Sequence, residues 1–406
     1  MERFVARQPV FNPDETVWAY ELLFRHENNA AHSTENGSNA TRRVILNSLL
    51  VMGLDNLTNG KRAFINAPRE TLLSGDLNVL PPDRVIIEVL ETVDPDREVV
   101  AAIRALKEQG FVIALDDFVD RDGMEELVAL ADIIKVDFMQ SDAQQRASME
   151  RKYRRRVKLL AEKVETREEF ESAKKRGYSL FQGYFFSKPS IVTSREIKGI
   201  QVNYMELVAA IHQPNLDYAK LEDILRRDVG ISLKLLRYIN SAYFGLKNSV
   251  SSIRQALTLL GEKEIKKWLT LLAMMEMTSE NPEELFVQAA SRAKFCEDLA
   301  AESGLRQRQP ECFLTGMFSV MEALLGRKID DILNELPIDD QIKDALRGRE
   351  NDIRRRLDCV LAYEEGDWKN FLQISEEFSI EEDKLANMYV RSIVWGDEFV
   401  TAASKM

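Results

Sequence analysis

Seven apolar runs in the first half of the chain lead into a carboxylate, an amide or a lysine. Glu21 lies in Tyr-Glu-Leu-Leu-Phe-Arg, Asn66 ends Ala-Phe-Ile-Asn, and Glu88 follows Val-Ile-Ile. Asp116 and Asp117 close Ile-Ala-Leu-Asp-Asp-Phe, Lys135 follows Asp-Ile-Ile, Glu162 follows Leu-Leu-Ala, and Gln182 follows Leu180-Phe181. Taken singly, an acidic residue at a strand end is most often solvated or caps a helix. Apolar packing does not account for the joint pattern. Four or five carboxylates converging at low dielectric repel one another unless cations hold them, and an oxygen-rich set suits Mg²⁺, Mn²⁺ or Ca²⁺ rather than zinc. Two such ions about 3.5–4 Å apart are a recurring arrangement for cleaving a phosphodiester. In that chemistry Asp116-Asp117 would bridge the ions, Lys135 would orient the attacking water, Glu162 would accept its proton, and Arg25 would hold a non-reacting phosphate. A buried Lys-carboxylate network without metal is the alternative.

Positioning these groups requires strands that end on one side. The runs Phe4 to Val10, Trp18 to Arg25, Arg62 to Asn66, Arg84 to Leu90, Val112 to Phe118, Ile133 to Asp137, Val157 to Val164 and Leu180 to Phe186 alternate with longer helical stretches. This is the pattern of an α/β barrel or a doubly wound sheet, and eight strands favour the barrel, whose functional groups gather at one mouth. The first two runs are joined only by Asn12-Pro13-Asp14-Glu15, too short for a parallel crossover, so one strand is expected to run against the rest.

From about Val202 onward the apolar spacing is helical, as in Leu221 to Arg226, Ser232 to Tyr243, Ile253 to Leu260 and Lys263 to Met277, punctuated by Gly230, Gly245, Gly261 and Asn281-Pro282. Two domains are expected, a barrel over residues 1–195 and an all-α domain over 196–406. The length of 406 residues supports two cores. Three dispersed cysteines without a CxxC pair, no secretory leader and no long uncharged apolar run point to a cytoplasmic protein with reduced thiols, off the membrane. A formal net charge of −12 argues against a nucleic-acid duplex as partner. The basic run from Arg151 to Lys158 reads as a solvated helix end. Met274, Met275 and Met277 read as helix core, and His212 as a surface or capping residue.

The order Glu21-Leu-Leu-Phe-Arg25, Asn66, Glu88-Val-Leu-Glu91, Asp116-Asp117-Phe118, Lys135-Val-Asp137, Ala161-Glu162-Lys-Val-Glu165 and Gln182-Gly183-Tyr184 resembles the EAL family of cyclic di-GMP phosphodiesterases. That resemblance implies metal ligation by Glu21, Asn66, Glu88, Asp116 and Asp117, catalysis by Glu162 and Lys135, and contacts to the dinucleotide from Arg25 and Gln182. It also implies Mg²⁺ or Mn²⁺, two ions in all, and bracing roles for Glu91 and Glu165. The chain departs from the family in two places. The signature triplet reads Glu-Leu-Leu in place of Glu-Ala-Leu, and the loop that is Asp-Asp-Phe-Gly-Thr-Gly-Tyr-Ser-Ser in the family runs Asp116-Asp-Phe-Val-Asp-Arg-Asp-Gly-Met124. Because that loop couples metal binding to dimerisation and turnover in the family, a homodimer and catalysis are both open here.

The helical half resembles the HDOD domain through Ile224-Leu-Arg-Arg-Asp228, Leu235-Leu-Arg-Tyr-Ile-Asn240-Ser241-Ala-Tyr-Phe-Gly245 and Ala256-Leu257 leading to Leu260-Gly261. Asn240 and Ser241 read as packing and helix-end residues. With His26, His32 and His212 the only histidines, the helical half has no His-rich metal site and reads as a module that engages a protein partner. The pairing resembles a bacterial signalling subfamily called YuxH-like. Three functions stand at this point: a hydrolase of cyclic di-GMP, a silent receptor for it, and a scaffold.

Overall fold

The computed structural model describes residues 4–25, 53–184, most of 221–277 and 282–404 except 337. His26, His32, His212, Asp228, Ser241, Gly245 and the boundary near 195 lie outside the described residues. Two compact units are present: residues 1–188 with 362–368, and residues 189–361 with 369–406.

The first unit is a closed eight-stranded barrel in sequence order: β1 (Val5–Phe11), β2 (Val17–Phe24), β3 (Arg62–Ala67), β4 (Val85–Val89), β5 (Val112–Leu115), β6 (Ile133–Asp137), β7 (Lys158–Glu162) and β8 (Leu180–Phe181). Strand β1 is antiparallel to both its neighbours, β2 and β8, and every other pair is parallel. The turn expected at Asn12–Glu15 forms: Asp14 accepts from the Thr16 hydroxyl at 2.8 Å, and Glu15 takes a left-handed φ of 64°. The crossover helices are α1 (Leu54–Thr58), α2 (Arg69–Ser74), α3 (Arg97–Glu108), α4 (Glu125–Leu130), α5 (Ala143–Tyr153) and α6 (Arg167–Arg176). Asp96, Asp142 and Thr166 accept from the first free N–H groups of α3, α5 and α6, fixing where those helices start.

Each strand contributes one side chain to a buried apolar layer: Val10, Ala19, Phe64, Ile86, Ala114, Ile133, Leu160 and Leu180. Residues two apart on a strand share a face. Two positions further along β2 to β8 come Glu21, Asn66, Glu88, Asp116, Lys135, Glu162 and Gln182. Because β1 runs the other way, its counterpart lies two positions earlier, at Gln8. A polar ring thus stands directly above an apolar plug.

In the second unit, α7 (Val229–Ile239), α8 (Ile253–Met277), α9 (Glu283–Glu302), α10 (Gln309–Phe318) and α11 (Glu382–Ser404) bury Trp268, Phe295, Phe313 and Phe318. Gly230 does not break the chain as expected; it falls in the first turn of α7. Gly261 does, with φ 71° and ψ 168° inside α8. Asn240, exposed at the end of α7, holds it to Val250 through paired bonds of 2.7 and 2.8 Å, the helix-end role expected of it rather than a packing one. Met274 is buried. Among the described residues, no helix is long and apolar enough to cross a membrane.

Gly183, just after Gln182, has φ 144°, and a Cβ there would stand 2.3 Å from the Val164 carbonyl oxygen. Gly183→Ala is expected to lose about 1–3 kcal/mol of stability in urea unfolding, the range for an imposed backbone strain. An unchanged midpoint would show that the Val164 turn yields.

Candidate metal-carboxylate site

Lys135 sits at the centre of the polar ring, 1% exposed. Its Nζ lies 3.3 Å from Glu21 Oε2, 3.0 Å from Asp116 Oδ1 and 2.7 Å from Glu162 Oε1, and is in direct contact with Glu88 Oε1. Gln182 Nε2 donates to Glu21 Oε2 at 2.8 Å and to Gln8 Oε1 at 3.2 Å. Asn66 is the register partner of Glu88 across β3 and β4. Asp117 leaves the strand with φ 38°, and it, Asp116 and Glu162 offer oxygens within 4.8 Å of one another. Glu21, Glu88 and Glu162 do the same.

One ammonium against three buried carboxylates and the half-buried Asp116 leaves an excess of negative charge. Burial, followed by repulsion from Glu21, pushes the Glu88 carboxyl well above the usual carboxylate range. Burial likewise pushes Glu162 up to about 8, against the opposing pull of Lys135. Asp117 is raised by burial and by Asp116. Burial acts to lower Lys135, but Glu162, Glu21, Glu88 and Asp116 together hold it well above its ordinary value, so it stays charged.

Five oxygens of this ring are buried without a hydrogen-bond partner: Asn66 Oδ1, Glu88 Oε2, Asp117 Oδ1, Glu162 Oε2 and Gln182 Oε1. Buried acceptors are normally satisfied, so this concentration of exceptions fits a set of ligands built for hard cations.

The remaining expected residues are spread around the rim. Arg25 follows β2 with its guanidinium over the Phe4 ring, 5.7 Å to the centroid. Glu91 is exposed beyond β4, and among the described residues its side chain makes no hydrogen bond or ion pair. That loop is approached instead by Arg121, 3.7 Å from Asp94. Glu165 lies on the turn after β7, its N–H donating to Glu169 at 2.8 Å. Three participants carried no expected role. Gln8 was hidden because β1 is reversed. Asp137 accepts from the Met139 and Gln140 N–H groups and from Lys163. Lys163, at φ 53°, also stands 3.8 Å from Asp117; the signal for it was a cation adjoining Glu162.

Removing Lys135 leaves the four carboxylates facing one another. Lys135→Met is expected to cost the metal-free protein about 3–5 kcal/mol, as for breaking a buried pair, measured by urea unfolding in EDTA. Millimolar Mg²⁺ should recover more stability in the variant than it adds to the wild type. Equal midpoints in EDTA would mean that shared protons already neutralise the ring.

Comparison with known proteins places these residues in context. Residues 22–189 match the EAL domain model and residues 199–328 the HDOD domain model. YuxH, an uncharacterised protein of Bacillus subtilis (strain 168), is 33% identical over 404 residues, covering 97% of this chain and 98% of that one. The cyclic di-GMP phosphodiesterase CdgJ of Vibrio cholerae serotype O1 is 34% identical over 401 residues, covering 97% of this chain and 92% of that one. Among solved structures, a standalone EAL protein from Vibrio cholerae O395 in its c-di-GMP-bound form superposes with a TM-score of 0.36 at 24% identity, covering 46% of this chain and 91% of that one.

Proposed function

This chain belongs to the family that joins an EAL domain to an HDOD domain, and on that premise we propose that it is a metal-dependent phosphodiesterase opening cyclic di-GMP to linear pGpG. The observation that carries the proposal is the cluster of five unsatisfied buried oxygens around Lys135. Glu21, Asn66, Glu88, Asp116 and Asp117 would hold Mg²⁺ or Mn²⁺, and the ions would supply charge neutralisation and a water of lowered pKa. Lys135 orients the attacking water through its ammonium. Glu162 takes the proton as the water oxygen bonds to phosphorus and the bond to the ribose 3′ oxygen breaks. Arg25 and Gln182 bind the dinucleotide, while Glu91 and Glu165 support the loops beside it. The barrel over 1–195 carries this chemistry in the cytoplasm, and the helical domain over 196–406 engages a protein partner.

Lys163 favours a second outcome, a receptor that binds the dinucleotide without turnover. Its ammonium bonds Asp137 and sits beside Asp117, where it competes with a cation for the same carboxylate. Lys163→Gln is therefore expected to tighten binding of the weaker divalent ion by about three- to tenfold in calorimetry, allowing for its exposure. Unchanged affinity would remove Lys163 from the account.

The deciding assay incubates the purified protein with cyclic di-GMP and Mg²⁺ or Mn²⁺ and resolves the products by chromatography. Wild type should yield pGpG and Glu21→Ala none. Binding without product establishes the receptor, and neither binding nor product refutes both readings.

A further inference from the structure

The opposite end of the barrel has a different character. A cavity of about 440 Å³ opens at the starts of the parallel strands, and Arg62, Arg154, Arg155, Arg156 and Lys158 line it. Among the described residues none of these five forms an ion pair, in a chain whose net charge is −12. The cavity's one acidic residue, Asp132, is already held by Lys107 at 2.6 and 2.7 Å and by the Ile113 N–H at 2.9 Å.

Arg154 caps α5, where a cation complements the helix dipole, and this explains its presence without a ligand. It does not explain the other four. Arg62 and Lys158 open β3 and β7, each two residues before a member of the apolar plug, so they lie on the same strand faces as the plug. Both reach over the Trp18 indole, 5.8 and 5.2 Å from its ring centroid. Trp18 and Val112 are half-buried against the plug and give the cavity an apolar side facing its cationic rim.

We propose that this floor cavity binds a nucleoside triphosphate, its phosphates on the arginines and its base against the apolar side. The volume falls within the usual range for small-ligand sites, and guanidinium groups suit phosphate by paired, charge-assisted hydrogen bonds. Arg154, Arg155, Arg156 and Lys158 are exposed and hydrated, so phosphates would take the place of water on them, and a bare polyphosphate would leave the apolar side uncovered. The site stands apart from the carboxylate ring, since the strand starts and the strand ends lie at opposite ends of the barrel.

Calorimetry on the full chain in EDTA at low salt, with ATP, adenosine and inorganic tripolyphosphate as probes, tests the proposal. ATP should bind once per chain, adenosine should not bind, and tripolyphosphate should bind about tenfold or more weakly than ATP. Arg62→Ser combined with Arg155→Ser should weaken ATP by about tenfold or more. Lys158→Gln, a milder change, should weaken it several-fold without moving the thermal midpoint. Absence of ATP binding, ATP binding unchanged in a folded variant, or tripolyphosphate binding as tight as ATP each overturns the assignment.

Discussion

Four carboxylates around one buried ammonium set the terms for the rest of the barrel. At an effective dielectric near 20, unit charges about 4 Å apart interact by about 4 kcal/mol. Lys135 is attracted to four partners, but fully ionised carboxylates would also repel one another in six pairs. Part of the ring therefore holds protons or awaits cations, consistent with the upward displacement of Glu88 and Glu162. A surface cluster would relieve such crowding by rotating into water. Here it cannot, because each group rises from a strand locked into a closed sheet.

The apolar plug is what makes the crowding sustainable. One side chain per strand seals the barrel below the ring, so water does not penetrate between the carboxylates from beneath. The same spacing of two residues explains why so much of the site was legible in sequence. Ile86 and Glu88, Ile133 and Lys135, Leu160 and Glu162 differ only in height along one strand face, so an apolar run ending in a polar residue marks a plug position followed by a ring position. The rule fails where its premises fail. Gln8 precedes its plug residue because β1 is reversed. Asp117 leaves the strand at a left-handed φ that spacing does not encode. Glu91 and Glu165 follow their strands on loops, where register no longer assigns direction, and Glu91 ends exposed. The floor cavity was illegible for a different reason. Arg62 is remote in sequence from the Arg154–Lys158 run, and only barrel closure brings them together.

The two departures from the EAL pattern have separate physical consequences. Leu22 lies on the strand face opposite Glu21, wholly buried, so the larger residue of the Glu-Leu-Leu triplet is accommodated outside the barrel rather than beside the carboxylates. The loop after Asp117 is different, because it continues directly from two of the site's carboxylates. Its two glycines become Val119 and Arg121, its threonine Asp120 and its serines Gly123 and Met124, and two of the introduced charges find local partners: Asp120 with Lys152 at 2.7 Å and the Tyr153 hydroxyl at 2.6 Å, Arg121 with Asp94. Backbone freedom has been exchanged for side-chain anchoring.

Such anchoring bears on dynamics as well as position. A glycine-rich loop can change conformation as ions and substrate bind, whereas a loop tied to the end of α5 by Asp120 must break an ion pair and a hydrogen bond to do so. Each tie is partly solvated and contributes modestly, but they act together with Phe118, which is buried edge-on against Tyr153 at 5.7 Å. The loop is thus fixed to the same end of α5 that leads directly into the basic run Arg154–Lys158. Asp116 and Asp117 are consequently held in place by packing before any ion arrives, which lowers the reorganisation that binding requires and concentrates the remaining cost in the mutual repulsion of the carboxylates.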